Sequence, residues 1–116
     1  MNGRRAEGRL PHSFGRVTAL RQAVAQIAPA ALPSFTQELD RAADQSRQAS
    51  GLSPLQRFIA QWAVYVHIQR QPNLAKEFRH WEDTAETGDG TQARRAASAI
   101  GKILDDAHAA LGLPLR

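Results

Sequence analysis

The sequence predicts an all-α fold: a single-domain bundle of about five helices preceded by a flexible basic N-terminal arm. Apolar residues recur three and four positions apart in successive segments, which is the spacing of one face of a helix. Prolines and glycines separate these segments, and 116 residues suffice for one domain. We therefore assign residues 1–16 to the arm, 17–87 to a helical core domain, 88–90 to a hinge and 91–116 to a C-terminal amphipathic helix.

The arm contains three glycines, one proline and four arginines but no apolar periodicity, which is typical of a flexible segment. The first helix is predicted from Val17 to Ala28, and Pro29 ends it. Its apolar face consists of Val17, Leu20, Val24 and Ile27.

The second and third helices show sequence signals for their ends. Ser34 is expected to cap the second helix, with Gln37 as the return partner of a capping box, and Gly51 is expected to stop it. Ser53 and Gln56 form the corresponding pair at the start of the third helix.

The third helix is apolar nearly all round from Phe58 to Ile68, so we expect it in the middle of the fold. The same segment also alternates as a strand would, through Trp62, Val64, Val66 and Ile68. We prefer the helix, because no internal turn signal interrupts the chain between Ser53 and Pro72.

Asn73 is expected to cap the fourth helix and Thr91 the fifth, which Gly112 and Pro114 close. The fourth helix carries one apolar stripe, made of Leu74, Phe78, Trp81 and Ala85. We expect the five large aromatic residues of the helices to meet in the core: Phe35, Phe58, Trp62, Phe78 and Trp81.

The sequence shows no pattern of catalytic or cofactor-binding residues and no cysteine, so we expect neither an enzyme nor a cofactor. Glu77, His80 and Asp83 follow one side of the fourth helix. We interpret them as a solvated polar face rather than as a weak metal site. His67 is interpreted as a hydrogen-bonded neutral histidine at the core margin rather than as a pH switch.

The last helix supplies the candidate partner-binding residues, which follow a heptad-like spacing: Ala97, Ile100, Leu104 and Leu111. Such a stripe can bind another protein or a second copy of the chain, which would give a homodimer. It can equally cover the protein's own core, and the sequence leaves both possibilities open.

The arm supplies the candidate nucleic-acid contacts, Arg4, Arg5, Arg9 and Arg16, because arginines of this kind neutralise phosphates. Residues 1–27 carry the whole net charge of +4, so residues 28–116 are electrically balanced. The alternative is an arm that only aids solubility. No apolar run is long enough to cross a bilayer or to form a signal peptide, so we expect a cytoplasmic protein with no membrane contact.

The segment 32–87 combines two patterns with a later Pro72 and a further helix: Leu32-x-x-Phe35-x-x-Glu38-Leu39-x-x-Ala42 and Leu52-x-x-Leu55-x-x-x-Ile59-x-x-Trp62. It resembles a family of small, uncharacterised actinobacterial proteins that are often encoded beside RelE-like toxins. The resemblance covers about half of the chain and implies an antitoxin-like role, in which the protein binds a toxin-like partner. We therefore expect a non-enzymatic binding protein, with nucleic-acid binding or an architectural role through the arm as the alternative.

Overall fold

The computed structural model describes residues 12–114, and this part of the chain is all-α, as predicted. It contains five α-helices and one short 3-10 helix at Pro29–Ala31. The α-helices are α1 (His12–Ile27), α2 (Leu32–Ala49), α3 (Ser53–Gln69), α4 (Pro72–Thr87) and α5 (Gly90–Ala110). No strand occurs among residues 12–114, and none of their helices is long and apolar enough to cross a membrane.

The segment that alternates as a strand would is helical, so the preferred prediction for α3 is confirmed. Its buried side chains occur around much of its circumference: Leu55, Phe58, Ile59, Trp62, Val64, Val66 and Ile68. An alternating pattern of apolar residues arises here because several faces of one helix are covered at once.

The first helix begins at His12, five residues before the predicted start at Val17. The part of the predicted arm from His12 to Arg16 is therefore helical. The rest of the predicted arm, residues 1–11, lies outside the described residues.

The chain divides into two compact units, with the boundary between Val66 and His67. In the first unit, Phe35 is fully buried, and its ring centroid lies 5.1 Å from that of Phe58 and 5.1 Å from that of Trp62. Edge-on aromatic contacts of this kind add to the stabilisation from burial alone. Aliphatic residues of α1, α2 and α3 complete this core: Val17, Ala23, Val24, Ala42, Leu55, Ile59 and Val66.

In the second unit, α4 and α5 pack against each other. The buried residues of these two helices are mostly small: Ala75, Ala96, Ile103 and Ala107. Phe78 and Trp81 belong to this unit and are only half-buried. Phe35, Phe58 and Trp62 meet in one core as predicted, and the prediction that Phe78 and Trp81 join them stays a prediction.

Three predicted helix caps are wrong because the helices start earlier than their first polar residue suggests. Helix α2 follows Ala31, with Pro33 in its first turn, so Ser34 lies inside the helix. Helix α4 follows Gln71, with Pro72 at its start, so Asn73 is also internal. At α5 the cap is Asp89 rather than Thr91, and it forms a complete capping box with Gln92: Gln92 N–H donates to Asp89 Oδ1 at 2.8 Å, and Asp89 N–H donates to Gln92 Oε1 at 3.1 Å.

The turn between α2 and α3 also differs from the prediction. Ser50, rather than Gly51, adopts the left-handed conformation, with φ 55° and ψ 38°. Gly51 N–H donates to the Ser46 carbonyl at 3.1 Å and Ser50 N–H to the Arg47 carbonyl at 3.3 Å, which is the pairing of a Schellman motif.

The prediction that Ser53 and Gln56 form a capping box at the start of α3 is wrong. Gln56 N–H donates to the Leu52 carbonyl at 2.9 Å, so it is not available to the Ser53 hydroxyl in a capping box. Leu55 N–H donates instead to Ser46 Oγ at 3.2 Å, and Ser46 itself is buried. A side chain of the preceding helix thus satisfies a backbone donor at the start of α3.

Candidate functional site

The predicted partner-binding stripe of α5 lies beside the buried side of the helix rather than on it. The buried side is marked by Ala96, Ile103 and Ala107. At 100° per residue, the stripe of Ala97, Ile100, Leu104 and Leu111 is centred roughly 70° away around the helix axis. Ala97 is exposed, Ile100 and Leu104 are half-buried, and Leu111 is 38% exposed.

The end of α5 holds the exposed Leu111 in place. Leu111 N–H donates to the Ala107 carbonyl at 3.0 Å, and Gly112 follows in the left-handed conformation with φ 70°. Leu113 N–H then donates to the His108 carbonyl at 2.8 Å, which completes a second Schellman motif. The prediction that Gly112 closes this helix is confirmed.

The candidate nucleic-acid residues fall mostly outside the described part of the chain. Arg4, Arg5 and Arg9 are not among the described residues, whereas Arg16 is exposed on α1. Arg21, five residues further along, is also exposed, and its guanidinium carbon lies 5.6 Å from the centre of the Phe35 ring. That distance is within the range of a cation–π interaction.

A polar cleft lies between α2 and α3 in the first unit. Arg41 and Arg57 line it together with Glu38. Glu38 is engaged, because its Oε1 accepts a hydrogen bond from Trp62 Nε1 at 3.0 Å. The cleft therefore combines two arginines with a carboxylate that links α2 to the buried indole of α3.

A second polar cleft lies in the other unit, at the end of the α4–α5 pair. Its lining residues are His80, Trp81, Thr84, Thr87, Gly88, Gln92 and Arg95, none of which is acidic. The His80 and Trp81 ring centroids are 4.9 Å apart. Trp81 Nε1 is buried, and no atom of the described residues accepts a hydrogen bond from it.

The sequence did not point to this second cleft. Trp81 fits the apolar stripe of α4, and Arg95 stands fourteen positions later in a different helix. Their proximity depends on the turn that brings α5 back along α4. The sequence singled out His80 and residues 88–90 for other reasons, and it marked Trp81 only as part of a short apolar stripe, which is a signal that ordinary core residues share.

The remaining polar candidates do not form a site in the described structure. Within residues 12–114, no group of three His, Asp or Glu side chains is placed to hold a metal ion, and Glu77, His80 and Asp83 are all exposed. His67 is half-buried, and its Nε2 lies 3.2 Å from Gln71 Nε2, which also donates to the His67 carbonyl at 3.0 Å.

No family model matches this chain, and neither a curated protein nor a solved structure matches it significantly. The resemblance of residues 32–87 to the actinobacterial family therefore stays a prediction from the sequence.

Proposed function

We propose that this chain is a non-enzymatic binding protein that binds another protein through the apolar stripe of α5. The proposal rests on the position of the stripe at the margin of the buried side of α5. Two of its residues, Ala97 and Leu111, are exposed to solvent, and the other two, Ile100 and Leu104, are half-buried. An amphipathic helix with such a stripe can add its apolar surface to a matching groove or helix.

The toxin-like partner is a further part of the proposal, and it depends on the resemblance rather than on the coordinates. A helix that binds a folded toxin would bury its exposed apolar residues at the centre of the interface, where single substitutions have the largest effect. A second copy of the chain is the competing occupant of the same surface.

The test is co-expression with the products of the adjacent genes, followed by measurement of complex formation. Ala97→Glu combined with Leu111→Glu places two charges on the stripe and should weaken a complex by at least about tenfold, because each charge must be desolvated at the interface. Ala109→Glu is the matched control, since Ala109 is exposed and points well away from the stripe.

The control should bind as tightly as the unaltered chain. Light scattering of the protein alone distinguishes the two occupants: a dimer that the double substitution converts to a monomer identifies a second copy. If the stripe variant and the unaltered chain bind every adjacent product equally, and both are monomeric, the proposed surface is wrong.

A second candidate function, nucleic-acid binding, is favoured by the placement of charge. The whole net charge of +4 is carried by residues 1–27, and Arg16 and Arg21 are both exposed on α1. Binding to duplex DNA should then weaken steeply with salt. Arg16→Gln should reduce the salt slope by about 1, whereas Arg94→Gln in α5 should leave it unchanged.

A further inference from the structure

The second unit contains a buried hydrogen-bond donor without an acceptor. Trp81 Nε1 is shielded from solvent, and nothing within residues 12–114 accepts its proton. Buried donors in folded proteins are nearly always paired, so an unpaired one indicates a strained site or a place for a bound group. Trp81 also lines the cleft at the end of the α4–α5 pair, which favours a bound group.

The other polar groups of the cleft restrict the chemistry of that group. Thr84 Oγ1 donates to the His80 carbonyl at 3.0 Å and Thr87 Oγ1 to the Asp83 carbonyl at 2.8 Å, so neither hydroxyl proton is available. Gln92 Oε1 accepts from the Asp89 N–H at 3.1 Å, which leaves its amide N–H groups as donors.

The cationic group of the cleft is Arg95. It is exposed, and no salt bridge joins it to an acidic residue in the described part of the chain. Three donors of the cleft therefore remain available, the Trp81 indole N–H, the Gln92 amide and the positively charged Arg95, and the lining contains no carboxylate to compete for them.

We propose that this cleft binds a carboxylate, with the Arg95 guanidinium and the Trp81 indole N–H as its principal donors. The planar fork of an arginine matches the two oxygens of a carboxylate, and the cleft, at about 390 Å³, has room for a small acid or an acidic side chain. Trp81 Nε1 is buried, so an adjacent side chain moves when the acceptor enters. His80 is exposed and its ring centroid lies 4.9 Å from that of Trp81, so we expect the His80 ring to be the side chain that moves.

This proposal does not depend on the proposed partner-binding stripe. Arg95 lies on α5 at a position well separated around the helix from Ala97 and Leu111, so the two surfaces can be altered one at a time. A carboxylate reaches the cleft either as a free small acid or as a side chain of a bound peptide, and one titration distinguishes these sources.

The experiment follows the two indole N–H signals of the full ¹⁵N-labelled chain by NMR. Sodium acetate and an acetylated, amidated glutamate peptide are titrated separately, with acetamide as the uncharged probe. A saturable downfield shift of the Trp81 signal is expected with acetate, with the peptide or with both, while the Trp62 signal stays unchanged because its N–H already donates to Glu38. Tighter binding of acetate indicates a free acid, and tighter binding of the peptide indicates a partner's side chain.

Substitutions at two adjacent residues make the test specific. Arg95→Gln should weaken binding of the better probe by about tenfold or more, because a charged donor is lost, and Arg95→Lys should weaken it less. Arg94→Gln is the control, since Arg94 lies outside the cleft lining and its Nη2 contacts Thr91 Oγ1 at 3.4 Å.

Three results would overturn the proposal. The first is that neither carboxylate probe produces a saturable shift at Trp81. The second is that acetamide produces the same shift as acetate, and the third is that Arg94→Gln weakens binding as much as Arg95→Gln. The amide spectrum of each variant shows whether it keeps the fold of the unaltered chain.

Discussion

Ser46 contributes hydrogen bonds to two helices. Its carbonyl accepts the Gly51 N–H at the end of α2, and its hydroxyl accepts the Leu55 N–H at the start of α3. A hydroxyl in this position is needed because Pro54 has no N–H, Gln56 already donates to the Leu52 carbonyl, and Leu55 is left as a buried donor.

We expect Ser46→Ala to lower the free energy of unfolding by about 1–3 kcal/mol, because it leaves the buried Leu55 N–H without an acceptor. Urea denaturation measures the change. Ser98→Ala, at an exposed position of α5, is the control and should change stability by less than about 0.5 kcal/mol. Equal stability of the two variants would show that the hydrogen bond between the Ser46 hydroxyl and the Leu55 N–H does not stabilise the turn.

Ser50 has a backbone conformation that suits glycine better. Its φ of 55° lies in the left-handed region, which costs a residue with a Cβ roughly 1–2 kcal/mol. Ser50→Gly removes this cost, but the greater freedom of glycine in the unfolded state offsets part of the gain. The net stabilisation should be about 0.5–1 kcal/mol. Thermal unfolding tests this, and a lower melting temperature than that of the unaltered chain would contradict it.

At the scale of elements, the α4–α5 turn depends on a close approach at Gly88. A Cβ added there would lie 2.7 Å from the Thr84 carbonyl oxygen and 2.8 Å from Gln92 Cβ. One of these atoms belongs to the backbone of α4, so the side chain cannot be accommodated without a shift of the turn. The residues predicted as a hinge thus combine a tight contact with a capping box, and hinge motion there stays a prediction.

Gly88→Ala should destabilise the protein by about 1–3 kcal/mol, which is the usual cost of overpacking. Gly90→Ala is a control in the same turn, because the nearest atom to its added Cβ is Arg94 Nη1 at 3.5 Å, the end of a flexible side chain. That control should be neutral or slightly stabilising, since alanine favours the first turn of α5. Both are measured by urea denaturation, and a Gly88→Ala variant as stable as its control would be inconsistent with the described turn.

Helix type and approximate position followed from the sequence, whereas helix starts often did not. Prolines at the first turn of α2 and α4 place these starts upstream of the polar residues chosen as caps. In α3 the donor at Leu55 is satisfied by a residue nine positions earlier, and no local rule anticipates such a partner. The box at Asp89 was missed because Thr91 stands closer to the periodic apolar residues.

At the scale of the whole molecule, the all-α class was predictable because it depends on repeated periodicity and on long segments between prolines and glycines. The division between Val66 and His67 was not, since no change of composition marks it inside α3. The same limit applies to the sites: the α5 stripe is visible in the sequence, but only three-dimensional packing shows that Ala96 and Ile103 take the buried side.

Trp62 connects the core of the first unit to a polar group, because its ring packs on Phe35 and its Nε1 donates to Glu38. Trp62→Ala should lower the free energy of unfolding by about 3–5 kcal/mol, and Trp62→Phe by less, since the phenyl ring keeps most of the packing. Trp81→Ala, at a half-buried position, should cost less than Trp62→Ala. Urea denaturation followed by circular dichroism compares the three, and the reverse order would place the main aromatic core elsewhere.

Helix α3 continues through the boundary between the two units, because Val66 and His67 are consecutive residues of one uninterrupted helix. Every helix leaves the carbonyls of its last turn without intrahelical donors, and a fragment that stopped at Val66 would place that frayed turn next to the aromatic core. The shortest fragment of the first unit that folds by itself should therefore run to Gln69, where this helix ends.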